Sequence, residues 1–185
     1  METYDPNKIG SRIAWGRSHS VYRYGENEVI KFPRWQSVFG TLLFDRVVHD
    51  ELICRNYFGD YCLDTRVVQA PDGTHRAEIQ PFVAGGHYLS KSDLADPVIK
   101  QHFDAFTDRY KEFIDTGHSP LDLIGQGGVL WRCLSNVFVL ENKDLKIFDI
   151  TIMDTKGLGG WGILFGPVFL YARIRQRNTL RWLKS

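Results

Sequence analysis

A lone asparagine and a lone aspartate, Asn136 and Asp149, stand thirteen residues apart at the two ends of what reads as one β-hairpin. Residues 137–140 and 145–148 are β-prone runs, and Glu141-Asn142-Lys143-Asp144 between them is a polar turn. An amide oxygen and a carboxylate at the mouths of adjacent strands are hard donors on a rigid support, the set that a divalent cation bridging phosphates requires. The plainer reading of the same residues is a capping Asn and a surface Asp. A cation suited to phosphates is available in Lys31, a charge set inside the apolar run Val29-Ile30-Lys31-Phe32. Strand alternation also allows an edge lysine that simply faces water.

The elements that must hold these groups are legible upstream. Residues 20–24 and 28–32 form two strand-like runs around the turn Gly25-Glu26-Asn27, and residues 13–20 before them are small and polar enough for a loop over a ligand. Residues 44–58 read as an amphipathic helix with Phe44, Val47, Val48, Glu51, Leu52 and Arg55 on or near one stripe. A second hairpin, residues 65–69 and 74–83, turns at Ala70-Pro71-Asp72-Gly73. Asp96-Pro97 caps and opens a further helix in which Ile99, Phe103, Phe106, Tyr110 and Phe113 recur at core-packing spacings, closed by Gly117-His118-Ser119-Pro120.

Length and composition bound the answer. With 185 residues, 43% of them hydrophobic and 14% aromatic, the chain has room for one domain or two small lobes. Its 23 Lys and Arg against 22 Asp and Glu leave a formal charge of +1, so no global field points to nucleic acid. Cys54, Cys62 and Cys133 are odd in number and lack metal-ligand spacing, which predicts buried free thiols in a reducing, cytoplasmic setting, and the first residues carry no secretion signal.

Taken in order, these residues resemble the protein-kinase-like fold. Ala14-Trp15-Gly16 through Val21-Tyr22 is similar to the Gly-rich loop G-x-G-x-x-G-x-V, with Ala14 and His19 where two glycines are usual and only Gly16 kept. Residues 29–32 resemble the V-A-I-K strand, whose Lys reaches the phosphates and pairs with a helix Glu; Glu51, twenty residues on, fits that partner, with Asp50 as the alternative. The resemblance implies an α+β, two-lobed fold, with an antiparallel sheet and one helix in residues 1–83 and a reduced, mainly helical lobe in residues 84–185. It implies ATP and Mg²⁺ as cofactors, Asn136 and Asp149 as metal ligands, and Ala14, Gly16, Val21, Lys31, Gln80, Phe82 and Val83 around the nucleotide. Residues 80–86 then act as a hinge whose backbone takes an adenine edge.

The kinase catalytic loop H-R-D-x-x-x-x-N sets its Asp five residues before the metal-binding Asn, and here that position is Trp131. Either Asp122, fourteen residues before Asn136, is carried back by an insertion containing Gly125, Gly127 and Gly128, or the chain is a nucleotide-binding relative without an ordinary base. His118 is a lesser candidate base, equally a helix-terminal histidine. After Asp149 the usual Asp-Phe-Gly reads Asp-Ile-Thr, and the short run to Gly160 leaves no room for a long activation loop. The expected acceptor is a non-peptide hydroxyl, a small molecule or glycolipid sugar; the rival expectation is a pseudokinase scaffold.

The tail pairs twelve apolar residues, 161–172, with a segment bearing Arg173, Arg175, Arg177, Arg181 and Lys184 and no acid. That is too short to cross a bilayer, which takes about 20 residues. It suits either a last helix with a solvated basic face or peripheral contact with anionic lipid. This end of the chain also resembles small bacterial kinase-like proteins related to lipopolysaccharide-core kinases and the PhoP-regulated YrbL-type proteins.

Overall fold

The computed structural model describes residues 2–15, 19–33, 42–124, 134–148, 150, 152–153 and 161–185, with the side chains of residues 15, 42–47 and 161–165 left aside. The chain divides into two compact units, residues 1–48 with 63–84 and residues 49–62 with 85–185.

The first unit is a six-stranded sheet built from β1 (Glu2–Thr3), β2 (Ile9–Trp15), β3 (His19–Tyr24), β4 (Glu28–Pro33), β5 (Arg66–Gln69) and β6 (Arg76–Pro81). Its order is β1-β5-β6-β4-β3-β2; β1 lies parallel to β5 and every other pair is antiparallel. Gly25 (φ +60°) and Gly73 (φ +72°) supply the left-handed residues of the two hairpin turns. Strand alternation sends Tyr24, Ile30, Val68, Ala77 and Ile79 to one face, where Tyr4 joins them in a small core. Phe32 meets Tyr4 and Tyr22 edge-on at 5.6 and 5.8 Å. Residues 13–15, expected in a loop, end β2 instead, because Ala14 and Trp15 find register partners in Val21 and Ser20.

The helix expected over residues 44–58 is α1 (Leu42–Phe58). Sequence reading grouped it with the first lobe, but its residues from His49 onward count with the second unit. Burial explains this, since Cys54, Phe58 and Cys62 are all in the second unit's core. Leu52, expected on the buried stripe, is 60% exposed; the inward positions are Asp50, Glu51, Cys54 and Phe58.

That core is organised by α2 (Pro97–Asp115). Asp96 caps it, its carboxylate accepting from the N–H groups of Val98 (2.9 Å) and Ile99 (3.4 Å). Ile99, Phe103, Phe106 and Phe113 are buried at the predicted spacing, and the Phe58 ring lies 5.7 Å from Phe106 and 5.4 Å from Phe113. Each such side chain contributes roughly 1.5–3 kcal/mol through burial. Beside it lies a three-stranded sheet, β7 (His87–Leu89), β8 (Leu134–Val139) and β9 (Leu145–Ile147), in that order. Strand β7 had no signal in the sequence. Gly85 takes the left-handed φ of +73°, and next to it a Cβ on Gly86 would stand 2.9 Å from the Phe138 ring and 3.2 Å from the Val139 carbonyl. The last element is α3 (Trp161–Lys184), which runs through Pro167 at the loss of one backbone hydrogen bond. Among the described residues no helix is long and apolar enough to cross a membrane.

Candidate functional site

In the sheet unit the candidate residues are set by register. Ala14 pairs with Val21, Val21 with Lys31, and Lys31 with Glu78, so one rung across β2, β3, β4 and β6 carries three residues expected at the nucleotide. Cross-strand partners share a face, so Lys31 and Glu78 project on the same side, opposite the apolar core. Lys31 is only 7% exposed, and Glu78 is buried with it. Charges out of water need compensation, and opposite signs at facing positions supply it. The His19 imidazole approaches the Glu78 carboxylate at 3.9 Å.

Gln80, two residues along β6 on the same face, is 4% exposed. Its amide N–H donates to the Thr65 hydroxyl at 2.7 Å, while its amide oxygen has no hydrogen-bond partner among the described residues. A buried acceptor left open is costly, and a ligand N–H would satisfy it. Phe82 is less free than its place in the hinge suggests. Its backbone N–H donates to the Asn27 carbonyl at 2.7 Å, and the Arg23 guanidinium lies 3.3 Å from its ring centre. Of the hinge residues expected at a base edge, Phe82 thus has its N–H already committed. Gly16 lies outside the described residues.

In the second unit the site is set by side-chain tethers on the stretch Pro120–Ile124, each residue of which is held. The Pro120 carbonyl accepts from Met153 N–H at 2.7 Å, and Leu121 bridges Ile152. Gln176, on α3 and 2% exposed, donates its amide to the Leu121 carbonyl and to the Tyr110 hydroxyl, and accepts from Leu123 N–H, each at 2.7 Å. The Asn136 side-chain amide donates to the Asp122 carbonyl at 2.7 Å, and its backbone N–H donates to the Leu123 carbonyl at 3.1 Å. The Ser135 hydroxyl donates to the Ile124 carbonyl.

Leu121, Leu123 and Ile124 are fully buried and Asp122 is half-buried, so apolar anchors on both sides fix one acidic residue between them. The fourteen-residue gap to Asn136 is closed in space. With its NH₂ group committed to Asp122, Asn136 presents its amide oxygen as the end able to meet a cation. Asp149 lies outside the described residues, as do Trp131, Gly125, Gly127, Gly128 and Cys133. Among the described residues no cluster of three or more His, Cys, Asp or Glu is placed to hold a metal.

Electrostatics agree with this placement. Burial pushes the Tyr110 phenol well above its ordinary range; the Gln176 hydrogen bond and the Arg173 charge oppose the shift, and the Asp122 charge adds to it. Two of the residues on α1 differ in use. Asp50 accepts from the buried Ile152 N–H at 3.1 Å, whereas Glu51 meets the Arg55 guanidinium one turn on at 3.1 Å. His118 stacks on Phe113 with ring centres 4.7 Å apart and sits 3.2 Å from the Tyr57 hydroxyl, which assigns it to packing. Burial raises the thiol pKa of both Cys54 and Cys62, the latter to about 12.

A solved structure of a Legionella pneumophila kinase, Lpg2603 bound to IP6, superposes on this chain with a TM-score of 0.56 at 13% sequence identity. The fold is kinase-like. The match covers 95% of this chain and 59% of the Legionella chain, so this chain spans well under two thirds of that protein. At this identity the kinase-like likeness speaks for architecture alone. No family model matches the chain and no curated protein matches it, so the likeness to lipopolysaccharide-core kinases gains nothing from these comparisons. Within the kinase-like fold, sequence reading missed two residues. Glu78 was findable as a charge alternating with Ala77 and Ile79 opposite Lys31; Gln176 carried no signal inside a basic segment.

Proposed function

We propose that this chain is an ATP- and Mg²⁺-dependent phosphotransferase acting on a non-peptide hydroxyl. The observation that supports the reading is the hydrogen bond from the Asn136 amide to the Asp122 backbone carbonyl, which closes the fourteen-residue gap between the two residues. Loose phosphoryl-transfer transition states depend on positioning and charge stabilisation, so a half-buried carboxylate on a tethered loop is a suitable guide for an acceptor hydroxyl.

In this reading Lys31, with Glu78 opposite it on the neighbouring strand, binds phosphate oxygens. The strands at Ala14 and Val21 lie along the phosphates, and the open Gln80 oxygen with Val83 accepts and donates at the base edge. Asn136 and Asp149 hold the magnesium, which when bound neutralises charge on the phosphates. The small second unit, whose described helices longer than two turns are the end of α1 with α2 and α3, favours a compact acceptor over a docked peptide. The cytoplasm, where ATP is abundant, is the setting.

Purified protein incubated with ATP, Mg²⁺ and pools of sugars, inositol phosphates and glycolipids tests this. Turnover that requires the metal and is lost in Asp122→Asn and Asp149→Asn supports it. The second reading is a pseudokinase that binds nucleotide as a regulator, favoured by Trp131 at the usual acid position and by Ala14 and His19 in place of glycines. Nucleotide binding in a thermal-shift assay, with no turnover on any pool, decides for it.

A further inference from the structure

We infer that the outer face of α3 seats the protein on an anionic membrane surface. Among the described residues, half of the exposed large hydrophobic side chains lie on this one helix: Val168, Leu170 (59% exposed), Tyr171 (55%) and Ile174 (45%). Leu170, Tyr171 and Ile174 fall on one side of the helix at spacings of one and three residues, and the same stripe continues into the exposed Arg177, Arg181 and Lys184. Gln176, Thr179 and Leu183 occupy the opposite, buried side. Arg173 and Arg175 do not belong to the stripe, since each has its Nε buried.

The occupant follows from charge. Residues 155–185 hold six of the chain's basic residues and no acid, whereas residues 1–154 carry 17 Lys and Arg against 22 Asp and Glu. A basic stripe is complementary to a negative surface, and in a two-fold dimer it would face and repel the same stripe of its copy. The stripe is apolar toward the start of the helix and cationic toward its end. A helix lying in the headgroup layer uses such a stripe by sinking its aliphatic and tyrosyl side chains while the guanidinium groups stay at the phosphates. This inference is independent of the phosphotransferase reading.

Flotation of the full chain tests it, with vesicles of phosphatidylcholine alone and with about 30% phosphatidylglycerol. The expected result is binding to the charged vesicles that weakens with salt. Arg177→Gln with Arg181→Gln lowers it roughly 25-fold, at about fivefold for each cation lost. Leu170→Ser with Ile174→Ser lowers it at least tenfold, while Leu52→Ser, an exposed leucine elsewhere, leaves it unchanged. All variants keep the wild-type melting temperature. Three results overturn the inference: no flotation, equal flotation with neutral vesicles, or a dimer in solution that Leu170→Ser with Ile174→Ser dissolves, which would make a second copy the occupant.

Discussion

Lys31 and Asp122 are positioned by opposite means. Lys31 stands on a strand whose register is fixed by ladders on both sides, so its place is shared among many backbone hydrogen bonds. Asp122 stands on an irregular stretch held by two carboxamides, Asn136 and Gln176, reaching it across fourteen and more than fifty residues. A sheet distributes a position over its whole lattice; a tethered loop concentrates it in a few side chains. The two regions should therefore answer differently to single substitutions.

The largest expected effect is chemical. Asp122→Asn keeps every backbone tether of the stretch and removes the carboxylate, so turnover falls about a hundred- to ten-thousand-fold in protein that stays folded, as steady-state kinetics with thermal melts would show. An unaltered rate ends the role given to Asp122.

Next comes the tether itself. Gln176→Leu strands the Leu121 carbonyl, the Leu123 N–H and the Tyr110 hydroxyl in a buried site, costing about 3 kcal/mol in urea unfolding. Turnover should drop in the protein that stays folded, because the loop loses its anchor. The sheet offers the contrast. Val67→Ala, on the same rung as Lys31 and Glu78, removes one half-buried cross-strand contact and costs less than about 1 kcal/mol with little change in turnover. Similar losses from Gln176→Leu and Val67→Ala would dissolve the distinction between lattice and tether.

The smallest effect is on pH dependence. The Cys62 thiol is raised from 9.0 to about 12, first by burial and then by the Glu51 charge, against the opposing pull of Arg55. A raised folded-state pKa means the native thiol stays neutral where the unfolded one ionises, so this contribution to stability is whole below about pH 9 and fades as pH climbs through about 12. Urea melts at pH 8 and pH 11 measure the difference, and at pH 8 the buried Cys54 and Cys62 thiols of the native protein should resist thiol reagents.

Much of the sheet was readable because period-two alternation and glycine turns are local signals, and α2 because its five aromatic and aliphatic positions repeat at helical spacing. Residues 13–15 and β7 were not. The first is a strand only by virtue of its partners on β3, and the second is three residues whose pairing with β8 follows a left-handed turn at Gly85 and a close approach at Gly86. Asp122 was legible as a candidate through the glycines that follow it. The tether from its neighbours Leu121 and Leu123 to Gln176 was not, since a lone glutamine among arginines looks like surface until its three partners are seen. Leu52 misled for the converse reason: an apolar side chain at a plausible helical position carries no mark of which way it faces.

The reach of Gln176 also sets an order of assembly. The six strands lie within the first 81 residues, so the ladder that holds Lys31 can close early in synthesis. The loop bearing Asp122 has to wait for an amide encoded more than fifty positions later. A chain emerging from the ribosome would thus carry a finished Lys31 strand long before its acidic loop has set, and acquires the second half of its candidate chemistry only as its last helix docks.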